Sequence, residues 1–202
     1  MKLPEPKLDS AFSVEKAISQ RRSLRGYADA TLSLEDVSQL LWAAQGMTGA
    51  SAERSAPSAG ATYPLRVYVV AGNVPGLAVG IYKYDCQTHE LTLLFFGDER
   101  GKLADATRGQ RWVSEAPISL IICSSAASTM QRYPEKGECY VYMEAGHVAQ
   151  NVYLQATSLG LGTVVVGAFD ASAIKHMLWL LPHEQPLYIM PVGQPAQGDQ
   201  ID

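Results

Sequence analysis

Apolar and polar positions follow two different periods along this chain, and each period predicts a type of secondary structure. Between Ser33 and Gly46 the apolar side chains recur at the spacing of one helix face, namely Val37, Leu40, Leu41 and Ala44. A serine followed by two acidic residues is a typical helix start, and a glycine is a typical helix end. The pattern therefore predicts a helix from Ser33 to Gly46, and a similar start at Ser13 predicts a short helix as far as Gln20.

Short β-rich runs predict the strands. They are LRVYVVA from residue 65, a hairpin IYKYDCQTHELTLLFF from residue 81, ISLIICSS from residue 118, TVVVGAF from residue 163 and PLYIMPVG from residue 186. The run from residue 118 is apolar on both faces, which predicts a buried central strand. Further helices are expected near 99–114 and after Asp170. The order of elements predicts one α+β domain over residues 1–202, with a mixed or antiparallel sheet flanked by helices.

The longest helical pattern covers residues 138–159. Its apolar positions lie nearly all round the helix: Val141, Ala145, Val148, Ala149, Val152, Leu154, Ala156 and Leu159. A helix that is apolar on every side has to be buried on every side. This pattern therefore predicts that a partner subunit covers part of the helix.

Composition excludes several classes of protein. The chain of 202 residues is 47% hydrophobic and 18% charged, with a net charge of −4, so it is globular and lacks the basic surplus of a nucleic-acid binder. No apolar run reaches the length of a membrane span, and the N-terminus has no signal-peptide core. Three widely spaced cysteines form no pairing pattern, which favours reduced thiols in the cytoplasm.

Two motifs that commonly bind cofactors or metals are present only in part. The Gly160–Gly162 pair follows a helix and precedes a strand, the reverse of the order in a dinucleotide-binding fold, so it is interpreted as a helix end. Glu144 and His147 have the spacing of a di-iron bundle, but such a site needs two copies of that motif. No metal site is expected.

A cluster of basic residues follows the first predicted helix. Arg21, Arg22, Ser23 and Arg25 lie within five positions in a chain that is acidic as a whole. Two interpretations stay open. The arginines could be a solvated helix end, favoured by the helix dipole, or a clamp for a phosphate group, since guanidinium groups offer forked donors to phosphate oxygens.

The stretch APSAGATYP, residues 56–64, is a second candidate. Small residues such as Ser58 and Gly60 let backbone amides approach a flat ligand closely. A flexible linker is the alternative, although Pro57 and Pro64 stiffen the segment.

Taken in order, these segments resemble the nitroreductase superfamily and, within it, the SagB-type dehydrogenase branch. The resemblance runs over nearly the whole chain and is carried by six segments: SVEKAISQRRSLRGY, LLWAAQG, APSAGATYPLRVYVV, VYMEAGHVAQNVYLQATSLGLG, VVVGAFD and PLYIMPVGQP. It implies the nitroreductase fold, an intertwined homodimer, and FMN bound between the two subunits.

The resemblance also implies which residues hold the flavin. It places Arg21, Arg22, Ser23 and Arg25 around the phosphate, the ribityl chain and the pyrimidine edge. It lines the ring with a loop of the other subunit, formed by Pro57, Ser58, Ala59 and Gly60. It presents the backbone of Val166, Gly167 and Ala168 to the ring face and to N5.

The activity implied by the resemblance is a ping-pong oxidoreductase reaction. NAD(P)H gives hydride to flavin N5, and an electron-poor small molecule such as a nitroaromatic or a quinone then takes the electrons. The flavin carries the chemistry, so no catalytic residue is expected, and Arg25 would place positive charge where negative charge develops. The alternatives are a SagB-type azoline dehydrogenase of peptide maturation, a flavin-binding protein without turnover, and a purely structural dimer.

The chain departs from the family pattern at two places. Many relatives place basic residues near the C-terminus to share the phosphate, whereas here no lysine or arginine follows Gly193. Members of the branch often carry R-G-x-R-Y before the long helix, whereas here the stretch is Lys136-Gly137-Glu138-Cys139-Tyr140. Because of the first departure, the N-terminal arginines would have to bind the phosphate without help from the C-terminus. Because of the second departure, a substrate role for residues 136–140 stays open.

Overall fold

A six-stranded sheet forms the centre of the computed structural model, which describes residues 1–49 and 51–196. The strands are β1 Leu65–Ala71, β2 Gly80–Asp85, β3 Glu90–Phe96, β4 Ile118–Ser125, β5 Gly162–Thr163 and β6 Glu184–Gly193. Their order across the sheet is β3-β2-β1-β4-β6-β5, and each pair of these strands is antiparallel. The predicted α+β class is thus confirmed, with an antiparallel rather than a mixed sheet.

Seven α-helices surround this sheet in the described part of the chain. They are α1 Val14–Gln20, α2 Leu34–Gln45, α3 Arg100–Ala106, α4 Trp112–Glu115, α5 Ala127–Arg132, α6 Gly137–Ser158 and α7 Ala171–Met177. A 3₁₀ turn covers Ala59–Ala61. No described helix is both long enough and apolar enough to cross a membrane.

The central strands are apolar on both faces because helices cover both sides of the sheet. Val67 of β1 and Leu120 of β4 belong to the core that includes α2 and α6. Tyr68 of β1 and Ile121 of β4 belong to a second core that includes residues of α3, α4 and α7. The buried central strand predicted from residue 118 is therefore confirmed.

The predicted helix starts are confirmed by their hydrogen bonds. The Ser13 side chain accepts from the amide of Lys16, and Ser33 forms a capping box with Asp36. The Asp170 side chain accepts from two amides at the start of α7. Each side chain satisfies backbone donors that have no partner within the helix.

The predicted strand TVVVGAF is wrong over most of its length. Only Gly162–Thr163 form a strand, and beyond it Val166 makes an isolated antiparallel bridge to Ile189. Valines occupy these positions because Val164 and Val166 are buried in the core shared with α7. The amide of Val165 donates to a side chain of α6 instead of to a neighbouring strand. Helix α5 was not predicted at all, since it is short and buries only Thr129.

Helix α6 begins and ends within one residue of its prediction, but it is not apolar all round. One face is buried in the protomer, with Val141, Ala145, Val148, Val152 and Ala156. The opposite face is exposed and carries Tyr142, Met143, Gly146, His147 and Gln150. The apolar residues concentrate on one face of the helix, so this pattern does not itself require a partner subunit.

Candidate functional site

Residues 21–25, called here the arginine segment, run in an extended conformation beside β5. The amide of Leu24 donates to the carbonyl of Thr163 at 3.0 Å, and Ser23 forms a parallel bridge with Thr163. The hydroxyl of Tyr27 lies 3.0 Å from the carbonyls of both Leu24 and Pro191 and shares its one proton between them. Burial raises the pKa of Tyr27, which keeps its hydroxyl protonated and able to donate. The segment is therefore held against the sheet.

Tyr153 of α6 joins the arginine segment to the backbone that follows β5. Its hydroxyl lies 3.0 Å from the hydroxyl of Ser23 and accepts from the amide of Val165 at 2.9 Å. The guanidinium carbon of Arg21 lies 5.0 Å from the centre of the Tyr153 ring, a cation–π distance. One side chain thus touches Arg21, Ser23 and Val165, which belongs to residues 164–165, called here the valine segment.

The arginines differ in what they contact. One guanidinium nitrogen of Arg22 donates to the carbonyls of Ser19 and Arg21, at 3.0 and 2.8 Å, which matches the helix-end interpretation for this residue. Arg21 is half-buried over Tyr153, and Arg25 is exposed. The two ion pairs found among the described residues involve neither arginine. The segment consequently presents positive charge that no described carboxylate neutralises within ion-pair distance.

Residues 166–168, called here the VGA segment, change from buried to exposed backbone. Val166 is 5% exposed and exchanges two backbone hydrogen bonds with Ile189, at 2.8 and 3.0 Å. Gly167 and Ala168 are exposed, and a Cβ added at Gly167 would meet no atom within 4 Å. The side-chain amide of Gln110 approaches the carbonyl of Ala168 at 3.4 Å. A flat ligand can therefore approach this backbone without obstruction from a side chain at Gly167.

Residues 57–60, called here the PSAG loop, are fixed by contacts to α5 and to their own turn. The guanidinium of Arg132 donates to the carbonyl of Gly60 at 3.1 Å, and the Ser58 hydroxyl accepts from the amide of Tyr63 at 2.9 Å. Gly60 and Tyr63 adopt left-handed backbone, with φ of 59° and 45°. These contacts give the loop a defined conformation.

A buried polar cluster lies beneath this loop. Glu144 of α6 is 2% exposed and lies beside Ser58, Arg54 and Gln45. Arg54 donates to the side-chain oxygen of Gln45 at 2.7 Å. Burial raises the pKa of the Glu144 carboxyl, and the hydrogen bond from Ser58 together with the charge of Arg54 opposes part of that rise. Glu144 therefore lies buried where the loop meets α6, and its Oε1 has no hydrogen-bond partner among the described residues.

The di-iron-like spacing of Glu144 and His147 in α6 has a structural explanation. Glu144 points into this cluster, whereas His147 is exposed. Within residues 1–49 and 51–196 there is no group of three or more histidine, cysteine, aspartate or glutamate side chains that could hold a metal ion.

Two of the three parts of the predicted site attach to opposite sides of α6. The PSAG loop lies at Glu144 and the arginine segment at Tyr153, nine residues further on. Nine residues correspond to about 13 Å along a helix and to roughly half a turn around it. The structure therefore brings Arg21 and Ser23 to the valine segment that leads into Val166, Gly167 and Ala168, but attaches Pro57, Ser58, Ala59 and Gly60 elsewhere.

Sequence reasoning missed the residues that hold these segments in place, chiefly Tyr153, Tyr27 and Arg54. Tyr153 stands within an apolar helix pattern, where a buried hydroxyl usually needs a hydrogen-bond partner, and this was the available signal. The partners of Tyr27 and Arg54 are distant in sequence and carried no comparable signal. Residues 197–202, most of the stretch after Gly193 that has no lysine or arginine, lie outside the described residues.

This arrangement defines an α+β protein with an anion-attracting segment beside exposed glycine backbone, at the edge of an antiparallel sheet. The chain belongs to the nitroreductase family, whose sequence profile matches residues 18–194. Members of this family are oxidoreductase enzymes, and the predicted family, fold and enzyme class are confirmed.

Individual relatives agree with the family assignment. A protein of Methanocaldococcus jannaschii that is named a nitroreductase is 44% identical over 183 residues, which cover 91% of either chain. A crystal structure of a Ralstonia eutropha protein, also named a nitroreductase, superposes with a TM-score of 0.85 at 31% identity, and covers 96% of this chain and 89% of its own. The trifolitoxin operon protein TfxC of Rhizobium leguminosarum is 24% identical over 206 residues, which cover 94% of this chain but 57% of TfxC.

Proposed function

We propose that the protein is an FMN-dependent oxidoreductase that works as a homodimer and carries electrons from NAD(P)H to an electron-poor small molecule. The observation that supports this most is the junction at Tyr153. There an unneutralised arginine segment meets the non-strand backbone at Val165, which leads to the exposed backbone of Gly167 and Ala168. A phosphate group and a flat ring are the two ends of FMN, and the junction offers a surface for each.

The residues present fit FMN. Arg21, Arg25 and the Ser23 hydroxyl would bind its phosphate, ribityl chain and pyrimidine edge, because guanidinium and hydroxyl groups donate to oxygen acceptors. Arg22 would contribute long-range positive charge, since its nitrogen already donates to the helix end. The VGA segment would place backbone next to the ring, where the absence of a side chain at Gly167 leaves room.

The homodimer supplies the PSAG loop to each site. Within one chain this loop and the arginine segment attach to opposite sides of α6, so they cannot both line the same ring. A second copy related by two-fold symmetry would bring its own loop to the first copy's arginine segment, and the reverse. Pro57, Ser58, Ala59 and Gly60 of each chain would then face the flavin held by the other.

The protein contributes binding and electrostatics. Bound FMN supplies hydride and electron transfer between NAD(P)H and the acceptor. Arg25 would hold positive charge near the pyrimidine edge, and the exposed backbone of Gly167 and Ala168 would lie against the ring. We place this chain in the cytoplasm as a single domain over residues 1–202, with three thiols, Cys86, Cys123 and Cys139, that form no disulfide.

An absorption spectrum of the purified protein tests the proposal. Flavin bands that bleach when NADH or NADPH is added without oxygen would support the cofactor, the donor and the reductive step together. Bands that persist with both nucleotides would contradict the donor. A protein without flavin, even after incubation with FMN, would contradict the whole proposal.

A second candidate function is the oxidation of azoline rings in a peptide, as in the SagB-type branch. The similarity to a trifolitoxin operon protein favours it, although the match spans little more than half of that relative. The spectrum separates the two candidates. An azoline dehydrogenase is expected to keep its flavin bands when the nucleotides are added and to lose them when an azoline-containing peptide is added without oxygen.

A further inference from the structure

We propose that Tyr153 is a positioning residue that fixes the direction of the Ser23 hydroxyl, so that Ser23 donates its proton to an oxygen of the bound flavin. This inference rests on the proposed function, because it takes FMN as the ligand. It adds a role for a side chain on α6 that forms part of neither the arginine segment nor the VGA segment.

The direction follows from an inventory of donors and acceptors around the Tyr153 oxygen. That oxygen already accepts the amide proton of Val165 at 2.9 Å. The Tyr153 proton still needs an acceptor, and the Ser23 oxygen lies 3.0 Å away. A tyrosine hydroxyl has one proton to give, and a serine hydroxyl can accept one while donating another. The chain of bonds therefore runs from Val165 through Tyr153 to Ser23, and the Ser23 proton is left to point outward.

The surroundings of Ser23 agree with an outward donor. Ser23 is half-buried, so its hydroxyl lies at the surface of the arginine segment rather than inside the core. Its backbone is held by the bridge to Thr163, so the side chain needs no large movement to keep this geometry. A hydroxyl that is held as a donor before the ligand arrives loses little rotational freedom on binding.

The Tyr153 ring has a separate effect on the same ligand. The Arg21 guanidinium lies over it at 5.0 Å from its centre, so the ring positions the charge while the hydroxyl positions Ser23. The two effects can be separated, because Tyr153→Phe removes the hydroxyl and keeps the ring.

The experiment is a double-mutant cycle on flavin binding. The dissociation constant for FMN is measured by fluorescence titration of the flavin-stripped full chain, for Tyr153→Phe, Ser23→Ala and the double variant. The matched control is Tyr142→Phe, which removes an exposed hydroxyl bonded to Glu138 on the same helix. Ser23→Thr keeps the hydroxyl and tests rescue. Riboflavin is titrated in parallel because it lacks the phosphate.

We expect Tyr153→Phe and Ser23→Ala each to weaken FMN binding about tenfold, and the double variant to be no weaker than either one, since both break the same bond chain. Tyr142→Phe is expected to bind like the wild type, and Ser23→Thr is expected to recover most of the affinity that Ser23→Ala loses. If the losses disappear with riboflavin, Ser23 donates to the phosphate. If they persist, it donates to the ribityl chain or the ring, and either result supports the inference.

Two results would overturn it. Unchanged FMN affinity in Ser23→Ala would mean that the serine does not donate to the flavin. This test remains available even if Tyr153→Phe folds poorly, because Ser23→Ala leaves Tyr153 and its bond to Val165 intact. Losses that add in the double variant would mean that Tyr153 acts independently of Ser23. A wild type that binds no flavin would instead refute the proposed function, so the two failures are distinguishable.

Discussion

Replacing Gly162 with alanine should displace the arginine segment and weaken both the fold and flavin binding. The added Cβ would lie 2.9 Å from the Cβ of Leu24 and 3.1 Å from its Cγ, and closer still to its Cδ1. The Leu24 Cβ is fixed by the backbone, so a change of rotamer can move Cγ and Cδ1 but does not remove the contact with Cβ. Leu24 would have to move away from β5, which strains its 3.0 Å hydrogen bond to Thr163.

The magnitude combines two opposing contributions. Overpacking typically costs about 1–3 kcal/mol, and a glycine-to-alanine change recovers about 0.4–1 kcal/mol through the lower entropy of the unfolded chain. Because Leu24 is only half-buried and the segment can yield, we expect a net loss of about 1–2 kcal/mol. In a chain of this size, that corresponds to a melting temperature lower by about 2–8 °C.

The assay is thermal unfolding together with an FMN titration, with Gly101→Ala as the matched control. Gly101 lies in α3, where an added Cβ would meet no atom within 4 Å, so the same substitution should stabilise the protein by about 0.5–1 kcal/mol. Opposite signs for the two variants would support the close approach at Gly162. A melting temperature and an FMN affinity that stay unchanged in Gly162→Ala would refute the reasoning.

Three further predictions concern the charges and the dimer. Arg21→Ala should weaken FMN binding by about ten- to a hundredfold in a titration, because a charge-assisted phosphate contact is worth about 1.5–3 kcal/mol. Arg22→Ala should have a smaller effect. Equal effects would contradict the assignment of phosphate binding to Arg21 and of long-range charge to Arg22. Burial raises the pKa of Glu144 above its value in the unfolded chain. Its contribution to the free energy of unfolding is therefore most favourable below about pH 4.3 and is lost as pH rises through the pKa of the folded state. Melting curves should therefore show Glu144→Gln gaining on the wild type as pH rises, and parallel curves would count against the buried carboxyl. Mixing subunits of Arg21→Ala and Ala59→Asp, each deficient in flavin, should restore about a quarter of the sites if each site uses both subunits; no recovery after refolding together would argue against a shared site.

The sequence by itself determined the secondary structure wherever local physics decides it. Ser13, Ser33 and Asp170 cap their helices as predicted, because a cap needs only a side chain and the amides two or three residues further on. The Gly160 helix end is of the same kind, with φ of 71° and the amide of Leu161 bonded back to Ala156 at 2.8 Å. The family resemblance, now confirmed by the family profile, came from the order of such segments along the chain.

Tertiary structure decided what each segment meets. The valines after Gly162 have the composition of a strand, yet the amide of Val165 bonds to Tyr153 and the strand stops at Thr163. Helix α6 contains enough apolar residues for burial on all sides. Gly146 and His147 nevertheless face outward, because only one face of the helix packs against the rest of the protomer. The attachment of the arginine segment and the PSAG loop to opposite sides of α6 also depends on contacts between distant parts of the chain. No local pattern encodes such contacts, because they form only when the sheet and α6 have packed together.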